Sequence, residues 1–511
     1  MLTRTAQVAG QRRSTVFGAV ERTWAQTTDR AARAGAALSA LGVKAGDRVA
    51  VLALTSDRYV ELLAGIPWAG GVVVALNWRW SLAELADALQ DCEPLVLWCD
   101  RAMVATAQAL AQGRPGLTLL ALDEGPDGLA CYEDLIAAAQ PGVPVPRGGD
   151  DAFQLAYTGG TTGRSKAAIM THRNVLVEAL ACHAEGVLGA DSTFLLNGPM
   201  FHAAGTWPSL SIMSSGGTLV LMPQLEVEAA LTLIERHRVT EALLVPTVLQ
   251  MLLDHPRFAE FDLSAFRTIL YGAAPITEAL LDRALTAFPA TRFVQCYGMT
   301  ELAPVCAMLP HEYLIGPWRA AGAHRAAGRA LIGVEIAIVD ADDRPLPRGA
   351  VGEVIVRSET MMRGYWRRPE ETAAALRGGW MHTGDAGYMD ANGLVYVVDR
   401  VKDMIISGGE NVYSTEVENA LCSHPDVSEA AVFGIPDAKW GEAVHAVVRL
   451  RAGASVTTDA IIAHVRNRIA GYKVPRSIDV RTEPFPVTPA NKILKRELRR
   501  PFWEGRGRAI V

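Results

Sequence analysis

The sequence has few cysteines and no spacing that turns them into a structural or metal site. Its 511 residues include seven cysteines, and no two of them have the CxxC spacing of a zinc-binding or redox pair. No histidine cluster accompanies them, so a metal site and a disulfide framework are both disfavoured. This cysteine usage predicts a reducing, cytoplasmic location.

Long apolar runs and an excess of basic residues are also missing. The longest apolar stretch, Leu62–Leu76, is interrupted by glycines and a proline, and it falls short of the roughly 18–20 residues that a membrane span needs. The net charge is -6, whereas nucleic-acid binders usually carry a basic excess. The acid-free stretch Met1–Thr15 fits a frayed N-terminus or a transit peptide. We predict neither a nucleic-acid partner nor an integral membrane segment, and a homodimer is left open.

Strand and helix patterns alternate through the first 300 residues. Arg48–Leu54, Val72–Leu76 and Pro94–Cys99 read as buried strands, and Ser81 with Glu84 forms a capping box for a helix. Further strands are predicted at Thr218–Met222, Ala242–Val245, Thr268–Tyr271 and Arg292–Cys296. This βαβ order predicts largely parallel sheets that helices cover on both faces.

The pattern changes after residue 328. Gly333–Asp340, Val351–Arg357 and Leu394–Val398 are rich in β-formers and separated by Pro/Gly turns, which predicts a small antiparallel or barrel-like unit. From about residue 399 the pattern becomes that of a compact α+β unit, in which Thr415 and Glu418 are predicted to cap a helix.

The predicted fold class is therefore α/β with two domains. A large N-terminal domain, residues 1–398, contains two doubly covered sheet subdomains and the small β-barrel-like unit. A small α+β C-terminal domain follows over residues 399–511.

The most informative segment for chemistry runs from Tyr157 to Lys166, after the apolar strand Phe153–Ala156 and before a helix predicted to begin near residue 174. Its three glycines let the backbone approach an anion closely, and its N–H groups can form a nest around phosphate oxygens. The P-loop NTPase pattern GxxxxGK[ST] fails, because an arginine follows the last glycine. A plain surface turn is the other reading. The segment favours a polyphosphate site with these binding residues: Thr158, Gly159, Gly160, Thr161, Thr162, Gly163 and Lys166.

This segment resembles the phosphate-binding loop of the adenylate-forming (AMP-binding) superfamily, which includes acyl-CoA synthetases, peptide-synthetase adenylation domains and beetle luciferases. The usual pattern there is close to YTSGTTGxPKG. The sequence departs from it at Gly159, Ser165 and Ala167, and only the first departure removes a hydroxyl donor. The resemblance implies an enzyme that activates a carboxylic acid with ATP.

Further segments match motifs of the superfamily in the same order. By this resemblance Tyr297 lies along the adenine ring, Thr300 reaches the α-phosphate and Glu301 helps to hold Mg²⁺. These roles agree with the chemistry, because a carboxylate attacks ATP only when a metal and cations neutralise the phosphates. The nucleotide-binding residues implied in these motifs are Gly272, Ala273, Ala274, Tyr297 and Gly298.

Three later motifs extend the match. The WxxTGD pattern ends at Asp385, which by resemblance accepts hydrogen bonds from the ribose hydroxyls. The hinge motif contains Arg400, which is implied to contact the ribose, and Lys402, about which the small domain is implied to move. The loop with Gly408 and Gly409 resembles the one that approaches the CoA arm.

Residues 488–496 resemble the TxxGKxxR segment, which puts Lys492 on the superfamily's catalytic lysine. Asn491 stands where the family has glycine, and asparagine is the other residue that best tolerates left-handed geometry. Lys495 lies outside this register. The resemblance covers about residues 17–499. The residues that it implies for catalysis are Lys492, His202, Thr300 and Glu301.

The segment Pro199–Gly205 resembles the one that lines the acyl pocket and implies that His202 lies near the carboxylate and the thiol entry. It lacks the aspartate that binds the ammonium group in amino-acid-activating relatives, so an uncharged acid is favoured. A tryptophan that would restrict the pocket to acetate-like acids is absent. Cys296 is implied to narrow the acyl pocket slightly. The implied pocket residues are Ala203, Ala204, Cys296 and Pro304.

Together these features predict an ATP-dependent acyl-CoA synthetase that uses Mg²⁺ and coenzyme A and releases pyrophosphate and AMP. Medium- or long-chain fatty acids are favoured as substrates, and aryl acids of the cinnamate or benzoate type stay open. Two more functions stay open as well: a free-standing adenylation enzyme that loads a carrier protein, and a non-catalytic nucleotide-binding relative.

Overall fold

The structure of the chain is a computed structural model, and it supports the predicted α/β class. Two mixed sheets and one antiparallel sheet form the large N-terminal part, and a fourth sheet forms the small C-terminal part. The residues that the structure describes are 1–123, 128–158, 165–400, 403–407, 410–437, 439–451, 453–487 and 493–504.

The first mixed sheet is buried on both faces. Its strands are β3 (Arg48–Leu52), β4 (Val72–Ala75), β5 (Val96–Cys99), β6 (Thr118–Ala121), β7 (Ala152–Thr158) and β8 (Lys166–Thr171). They lie in the order β6-β5-β3-β4-β7-β8, and only β8 is antiparallel to its neighbour. Val49 and Val51 pack into one core, whereas Ala50 and Leu52 pack into a second core on the other face. Burial on both faces explains why these strands read as continuous apolar runs.

The second mixed sheet has nine strands. They are β1 (Arg13–Phe17), β2 (Val20–Thr23), β9 (Thr193–Leu196), β10 (Thr218–Leu221), β11 (Glu241–Leu243), β12 (Thr268–Gly272), β13 (Arg292–Gly298), β14 (Val305–Leu309) and β15 (Arg329–Ala330). The order is β15-β14-β13-β12-β11-β9-β10-β1-β2. Phe194 and Leu270 of this sheet share a core with Val49 and Val51 of the first sheet. The largest core therefore lies between the two mixed sheets.

The helices of the N-terminal part are α1 (Leu2–Ala9), α2 (Trp24–Ala40), α3 (Asp57–Trp68), α4 (Leu82–Cys92), α5 (Val104–Ala111), α6 (Tyr132–Ala138), α7 (His172–Ala184), α8 (Ala203–Ser215), α9 (Val227–His237), α10 (Pro246–Leu253), α11 (Glu278–Ala287), α12 (Gly316–Ala320) and α13 (Pro369–Ala375). The predicted capping box at α4 is confirmed. The Ser81 hydroxyl accepts from the Glu84 N–H over 3.3 Å, and the Glu84 carboxylate accepts from the Ser81 N–H over 2.8 Å.

The unit after residue 330 is a four-stranded antiparallel sheet, so of the two predicted forms the antiparallel one is confirmed. It contains β16 (Val334–Val339), β17 (Gly352–Ser358), β18 (Met381–Met389) and β19 (Val395–Arg400), paired in chain order. The predicted hinge residue Lys402 lies outside the described residues, and the domain division after residue 398 stays a prediction.

The C-terminal part contains β20 (Ile405–Ser407), β21 (Glu410–Val412), β22 (Val427–Asp437), β23 (Gly441–Leu450) and β24 (Ser477–Val480), with α14 (Ser414–Cys422), α15 (Thr458–Arg466) and α16 (Lys495–Trp503). The predicted cap of α14 by Thr415 and Glu418 was wrong. The helix begins at Ser414, so Thr415 lies inside its first turn, and the N-cap residue Tyr413 makes no side-chain capping hydrogen bond. The Glu418 carboxylate instead accepts from the Val432 N–H over 2.8 Å and pairs with Lys495 over 2.7 Å.

The N-terminus is folded rather than frayed. α1 buries Leu2 and Ala9, and the Thr5 hydroxyl donates to the Met213 carbonyl over 2.7 Å. All seven cysteines lie in the described part of the chain, and none forms a disulfide bond. Within that same part, none of the helices has both the length and the apolar character needed to cross a membrane.

Candidate active site

All of the predicted site residues that the structure describes line one open cleft of about 3620 Å³. They are Thr158, Lys166, His202, Ala203, Ala204, Gly272, Ala273, Ala274, Cys296, Tyr297, Gly298, Thr300, Glu301, Pro304, Asp385 and Arg400. The other predicted residues lie outside the described part of the chain: Gly159, Gly160, Thr161, Thr162, Gly163, Lys402, Gly408, Gly409 and Lys492.

The predicted phosphate loop connects two antiparallel strands. β7 ends at Thr158 and β8 begins at Lys166, and these two residues pair across the strands, with the Thr158 hydroxyl donating to the Lys166 carbonyl over 3.3 Å. The helix predicted to begin near residue 174 is α7, but strand β8, which the sequence did not predict, lies between the loop and this helix. The short run Ala167–Met170 is buried as strand β8 before α7 begins at His172. This hairpin brings both ends of the loop to the cleft.

Two residues that the sequence reasoning missed hold Lys166 at the cleft. Its ammonium group forms an ion pair with Glu371 and lies 5.3 Å from the centre of the Tyr365 ring. The Tyr365 hydroxyl donates to Glu301 Oε1 over 2.8 Å. One tyrosine thus connects the cation predicted for the phosphates with the carboxylate predicted for the metal.

Glu301 lies in a 3-10 turn, residues 300–302, directly after β13, and only 5% of it is exposed. Burial raises the pKa of its carboxyl group, and Tyr365, Arg400 and Lys166 oppose that shift. A cation bound beside such a carboxylate favours its charged form. Mg²⁺ prefers oxygen ligands and usually takes one or two carboxylates together with substrate phosphates. The chemistry of this residue therefore fits the implied metal.

Close backbone approaches shape the part of the cleft that is predicted to bind the nucleotide. A Cβ atom at Gly272, whose φ is 154°, would lie 2.0 Å from the Cys296 carbonyl oxygen, and one at Gly298 would lie 2.1 Å from the Pro304 carbonyl oxygen. Only glycine fits at these two positions. Ala273 has a left-handed φ of 62°, which is uncommon for a residue with a side chain and is found most often at functional sites.

Three predicted residues from different strands meet at Asp385. The Tyr297 hydroxyl donates to Asp385 Oδ2 over 2.6 Å, and Arg400 Nε forms an ion pair with Asp385 Oδ1 over 2.7 Å. Burial and then the Asp385 charge raise the pKa of Tyr297 well above its usual value, so its hydroxyl stays a donor. The carboxylate is 6% exposed, and both of its oxygens have protein partners.

Glu353 of β17 holds the turn that precedes this aspartate, and the sequence reasoning did not single it out. Its Oε1 accepts from the Gly384 N–H over 3.0 Å, and its Oε2 lies 2.9 Å from His382 Nδ1. Asp343 lies close to both side chains, as metal ligands would. However, Arg377 already pairs with Asp343 over 2.8 Å and with Glu353 over 3.2 Å, so this group is an ion-pair network.

The other end of the cleft is apolar. His202 is the N-cap of α8, and its Nδ1 accepts from the Ala204 N–H over 3.2 Å. Ala203 and Ala204 form the first turn of that helix, so its start contributes little side-chain volume. Burial raises the pKa of the Cys296 thiol, which therefore stays neutral. The larger apolar side chains that line this end include Phe201, Trp207, Leu243 and Val305.

Lys495 also faces the cleft, although its register gave it no predicted role. Its Nζ lies 2.6 Å from Ser414 Oγ and 2.7 Å from Glu418 Oε1, and the Ser414 N–H donates to Asp399 Oδ2 over 2.5 Å. Burial alone lowers the pKa of Lys495, but Glu418 and Asp399 outweigh it and raise that pKa. Lys495 thus ties α16 to α14 at the edge of the predicted hinge.

The described residues of the motifs that resemble the adenylate-forming enzymes thus line one cleft. Comparison with known proteins identifies the same family. The family model described as AMP-binding enzyme matches residues 2–366, and the model of the AMP-binding enzyme C-terminal domain matches residues 416–492. The chain belongs to this family: it is an AMP-forming acid–thiol ligase, and it binds ATP.

Relatives of known activity are similar over nearly their whole length. The chain is 40% identical to a feruloyl-CoA synthase from Amycolatopsis sp over 486 residues, which is 95% of each chain. It is 36% identical to the long-chain-fatty-acid–CoA ligase FadD13 from Mycobacterium tuberculosis, over 94% of this chain and 93% of the relative. The crystal structure of ATP-bound MatB from Rhodopseudomonas palustris matches with a TM-score of 0.89 at 29% identity, over 99% of this chain and 98% of that one.

Proposed function

We propose that the chain is an acyl-CoA synthetase for bulky, uncharged carboxylic acids, with aryl acids as the first candidates. The observation that carries the proposal is the single cleft, in which the phosphate side with Lys166 and Glu301 continues into the apolar side with His202. Its volume of about 3620 Å³ exceeds the roughly 300–1,000 Å³ of an ordinary ligand pocket. There is room for a nucleotide, an acid and a thiol arm.

On the nucleotide side we assign the ribose to Asp385, with Tyr297 and Arg400 beside it. The ribose hydroxyls donate to the carboxylate oxygens that these two side chains now contact. Arg400, at 2.7 Å, supplies the opposite charge that balances Asp385 in this buried place. Gly272–Ala274 supplies a narrow wall against which the adenine can lie.

We assign the triphosphate to the hairpin loop and to the turn after β13. Lys166 and Thr300 contact phosphate oxygens, and Glu301 holds Mg²⁺, with Tyr365 fixing the orientation of its carboxylate. When bound, Mg²⁺ neutralises phosphate charge and polarises the phosphorus centre. Glu371, which now pairs with Lys166, gives up that lysine to the phosphates.

The reaction follows in two steps. First, a carboxylate oxygen of the acid bonds to the α-phosphorus, the bond to pyrophosphate breaks, and an acyl-adenylate forms. We propose that Lys492 offsets the charge that builds up between the carboxylate and the phosphate. Next, the CoA thiolate attacks the acyl carbon, the thioester forms and AMP leaves. We propose that the C-terminal domain rotates about Lys402 between these steps and brings Gly408 and Gly409 to the CoA arm.

The apolar end supports a bulky acid. Ala203 and Ala204 leave space at the start of α8, and the segment 199–205 has no acidic residue to bind an ammonium group. An aryl acid comes first because the chain is 40% identical to a feruloyl-CoA synthase. A medium- or long-chain fatty acid is the second candidate, because the fatty-acid–CoA ligase is 36% identical.

Pyrophosphate release across a panel of acids tests the proposal. The panel contains benzoate, cinnamates, octanoate and palmitate, each measured with and without CoA and with ATP omitted as the control. We expect ATP-dependent release with an aryl acid, and continuous turnover only when CoA is present. If palmitate is the only acid of the panel that gives pyrophosphate release, the fatty-acid assignment replaces the aryl one.

Two further outcomes distinguish a carrier-protein loading enzyme and a non-catalytic relative from a CoA ligase. A phosphopantetheine arm on a carrier protein presents the same thiol as CoA. Transfer to a carrier protein but not to CoA, from the same acid, would support a free-standing adenylation enzyme. Failure of every acid to release pyrophosphate would support a non-catalytic relative, although the chain retains Lys492, Glu301 and Asp385.

A further inference from the structure

One ion pair lies on the phosphate side of the cleft. The Lys166 ammonium group, which the proposed function assigns to the phosphates, pairs with the Glu371 carboxylate. Both side chains line the cleft and are partly exposed, 22% for Lys166 and 39% for Glu371. A phosphate group and the Glu371 carboxylate are both anions that attract the same cation. When Lys166 turns to a phosphate, the energy of this ion pair is lost.

The position of Glu371 is fixed relative to strand β8, which begins with the lysine. The Trp366 N–H donates to the Ala167 carbonyl of β8 over 2.8 Å. Glu371 follows in the first turn of α13, and the next residue, Thr372, accepts from the Tyr365 N–H through its hydroxyl over 2.9 Å. The backbone on both sides of the carboxylate is thus hydrogen-bonded, so the fold itself places Glu371 opposite the lysine.

A second cation lies near Glu371. Arg368 Nε lies 3.8 Å from Glu371 Oε1, and the same guanidinium group lies 3.4 Å from Asp91 Oδ1. Glu371 therefore keeps a counter-charge when Lys166 leaves it, although the distance is longer. A lysine side chain is a flexible four-carbon stem, whereas the backbone of Glu371 is fixed. Movement of the Lys166 side chain alone can exchange the carboxylate for a phosphate.

We infer that Glu371 competes with the phosphates of ATP for Lys166 and thereby lowers the affinity of the enzyme for ATP and for pyrophosphate. The same competition helps pyrophosphate to leave after the adenylate has formed, because Glu371 pairs with Lys166 again. This inference rests on the proposed function, which assigns Lys166 to the phosphates, and adds a regulatory contact to that site.

Equilibrium binding to the whole chain tests the inference without turnover. Titration calorimetry in the absence of any acid measures the Kd for MgATP, for inorganic pyrophosphate with Mg²⁺, and for adenosine. Glu371→Gln keeps the side-chain volume and removes the charge. It should lower the Kd for ATP and for pyrophosphate by about 2- to 5-fold, which is the range for a partly exposed ion pair. The Kd for adenosine should stay the same, because adenosine has no phosphate.

Glu370→Gln is the matched control. Glu370 lies in the same helical turn as Glu371, is exposed, and is not among the described residues that line the cleft. The same change of charge at this position should leave all three Kd values unchanged. Glu371→Asp draws the carboxylate back by one methylene group and should lower the Kd for ATP by a smaller factor than Glu371→Gln.

Two further measurements show whether the effect depends on the ion pair. The ratio of the wild-type Kd for ATP to that of Glu371→Gln should fall towards one as salt rises from about 0.1 M to about 1 M, because salt screens a partly exposed pair. Lys166→Gln removes the cation of the pair. In that background Glu371→Gln should have no effect on the Kd for ATP.

The contrary results are distinct. If Glu371→Gln leaves the Kd for ATP unchanged or raises it, or if adenosine shares the decrease, the inference is overturned and the proposed function stands. An equal decrease in the Lys166→Gln background also overturns it, because Glu371 then repels the phosphates directly. If Lys166→Gln alone leaves the Kd for ATP unchanged, the phosphate assignment of Lys166 in the proposed function is wrong, and the inference fails with it.

Discussion

Two buried glutamates of the chain differ in their partners: Glu301 lines the cleft, whereas Glu178 lies outside it and contacts Cys182, which receives the indole N–H of the cleft residue Trp207. Glu301 and Glu178 are 5% and 1% exposed, and burial raises the pKa of both. Glu301 has the Tyr365 hydroxyl and the charges of Lys166 and Arg400 nearby, whereas Glu178 has a thiol and a backbone group. Cations thus oppose the rise of the pKa of Glu301, whereas no cation among the described residues opposes the rise of the pKa of Glu178. Changes at the nucleotide end should therefore alter the rate of pyrophosphate release for every acid. Changes at the acyl end should alter the ratio of these rates between acids.

The largest effect is expected for Lys492→Ala. Because this lysine is proposed to offset charge in the adenylation transition state, its loss should slow pyrophosphate release by about 10²–10³-fold. The factor should be the same for aryl and aliphatic acids. Thioester formation from supplied acyl-adenylate should be largely retained.

Lys402→Pro is the matched control and should show the reverse, since it stiffens the proposed hinge: adenylation continues and thioester formation falls. Equal loss of both half-reactions in Lys492→Ala would contradict the assigned role of the lysine.

Glu301→Gln tests the charged end directly. Removing the carboxylate charge while keeping the side-chain volume should lower kcat for pyrophosphate release by about 10²-fold, because a metal held beside the phosphates supplies several kcal/mol. The loss should be uniform across acids and should be accompanied by a higher Mg²⁺ requirement. Tyr365→Phe removes only the hydrogen bond to Glu301 and should cost far less. If kcat fell for only one class of acid, the expectation that the nucleotide end affects every acid equally would be wrong.

The sequence predicted the scaffold of this cleft well, because the signals for it are local. Each predicted strand in the two mixed sheets is present, and its ends shift by one or two residues. A continuous apolar run indicates a strand that is buried on both faces, and this signal does not depend on which distant segments cover the strand. Prediction from the local sequence failed where the partner lies far along the chain: Glu418, predicted to cap α14, pairs instead with Lys495.

The supporting residues of the site were out of reach for the same reason. Tyr365 contacts Glu301 across 64 positions, and Lys495 contacts Ser414 across 81. No periodicity connects positions so far apart. Glu178 lies in helix α7, and a glutamate in a helix is ordinarily solvated. Only the packed structure therefore shows that it is buried.

The raised pKa of Glu178 predicts a pH-dependent stability. Its folded pKa is raised above the unfolded value near 4.5. The folded state therefore holds this proton longer, and the resulting stability is lost as pH rises towards the folded pKa. Within that window the loss is about 1.4 kcal/mol per pH unit. Glu178→Gln is neutral at every pH and should gain Tm relative to the wild type as pH rises from the unfolded pKa near 4.5 towards the folded pKa. A constant difference between the two melting curves would mean that Glu178 is charged when folded.

The smallest effect is expected at Cys296, which lines the cleft and is predicted to narrow its acyl end without joining the chemistry. Cys296→Gly removes a buried side chain from β13. It should raise the ratio of kcat/KM for a bulkier acid to kcat/KM for a slimmer acid by about 3- to 10-fold, which is a small effect for one side-chain group in a binding pocket. The KM for ATP should stay the same, because the nucleotide contacts lie on other side chains. Glycine in a strand weakens it by about 0.5–1 kcal/mol, so Cys296→Ala is the control for stability. A change in the KM for ATP without a change in acid preference would show that the two ends of the cleft are coupled through β13 rather than separate.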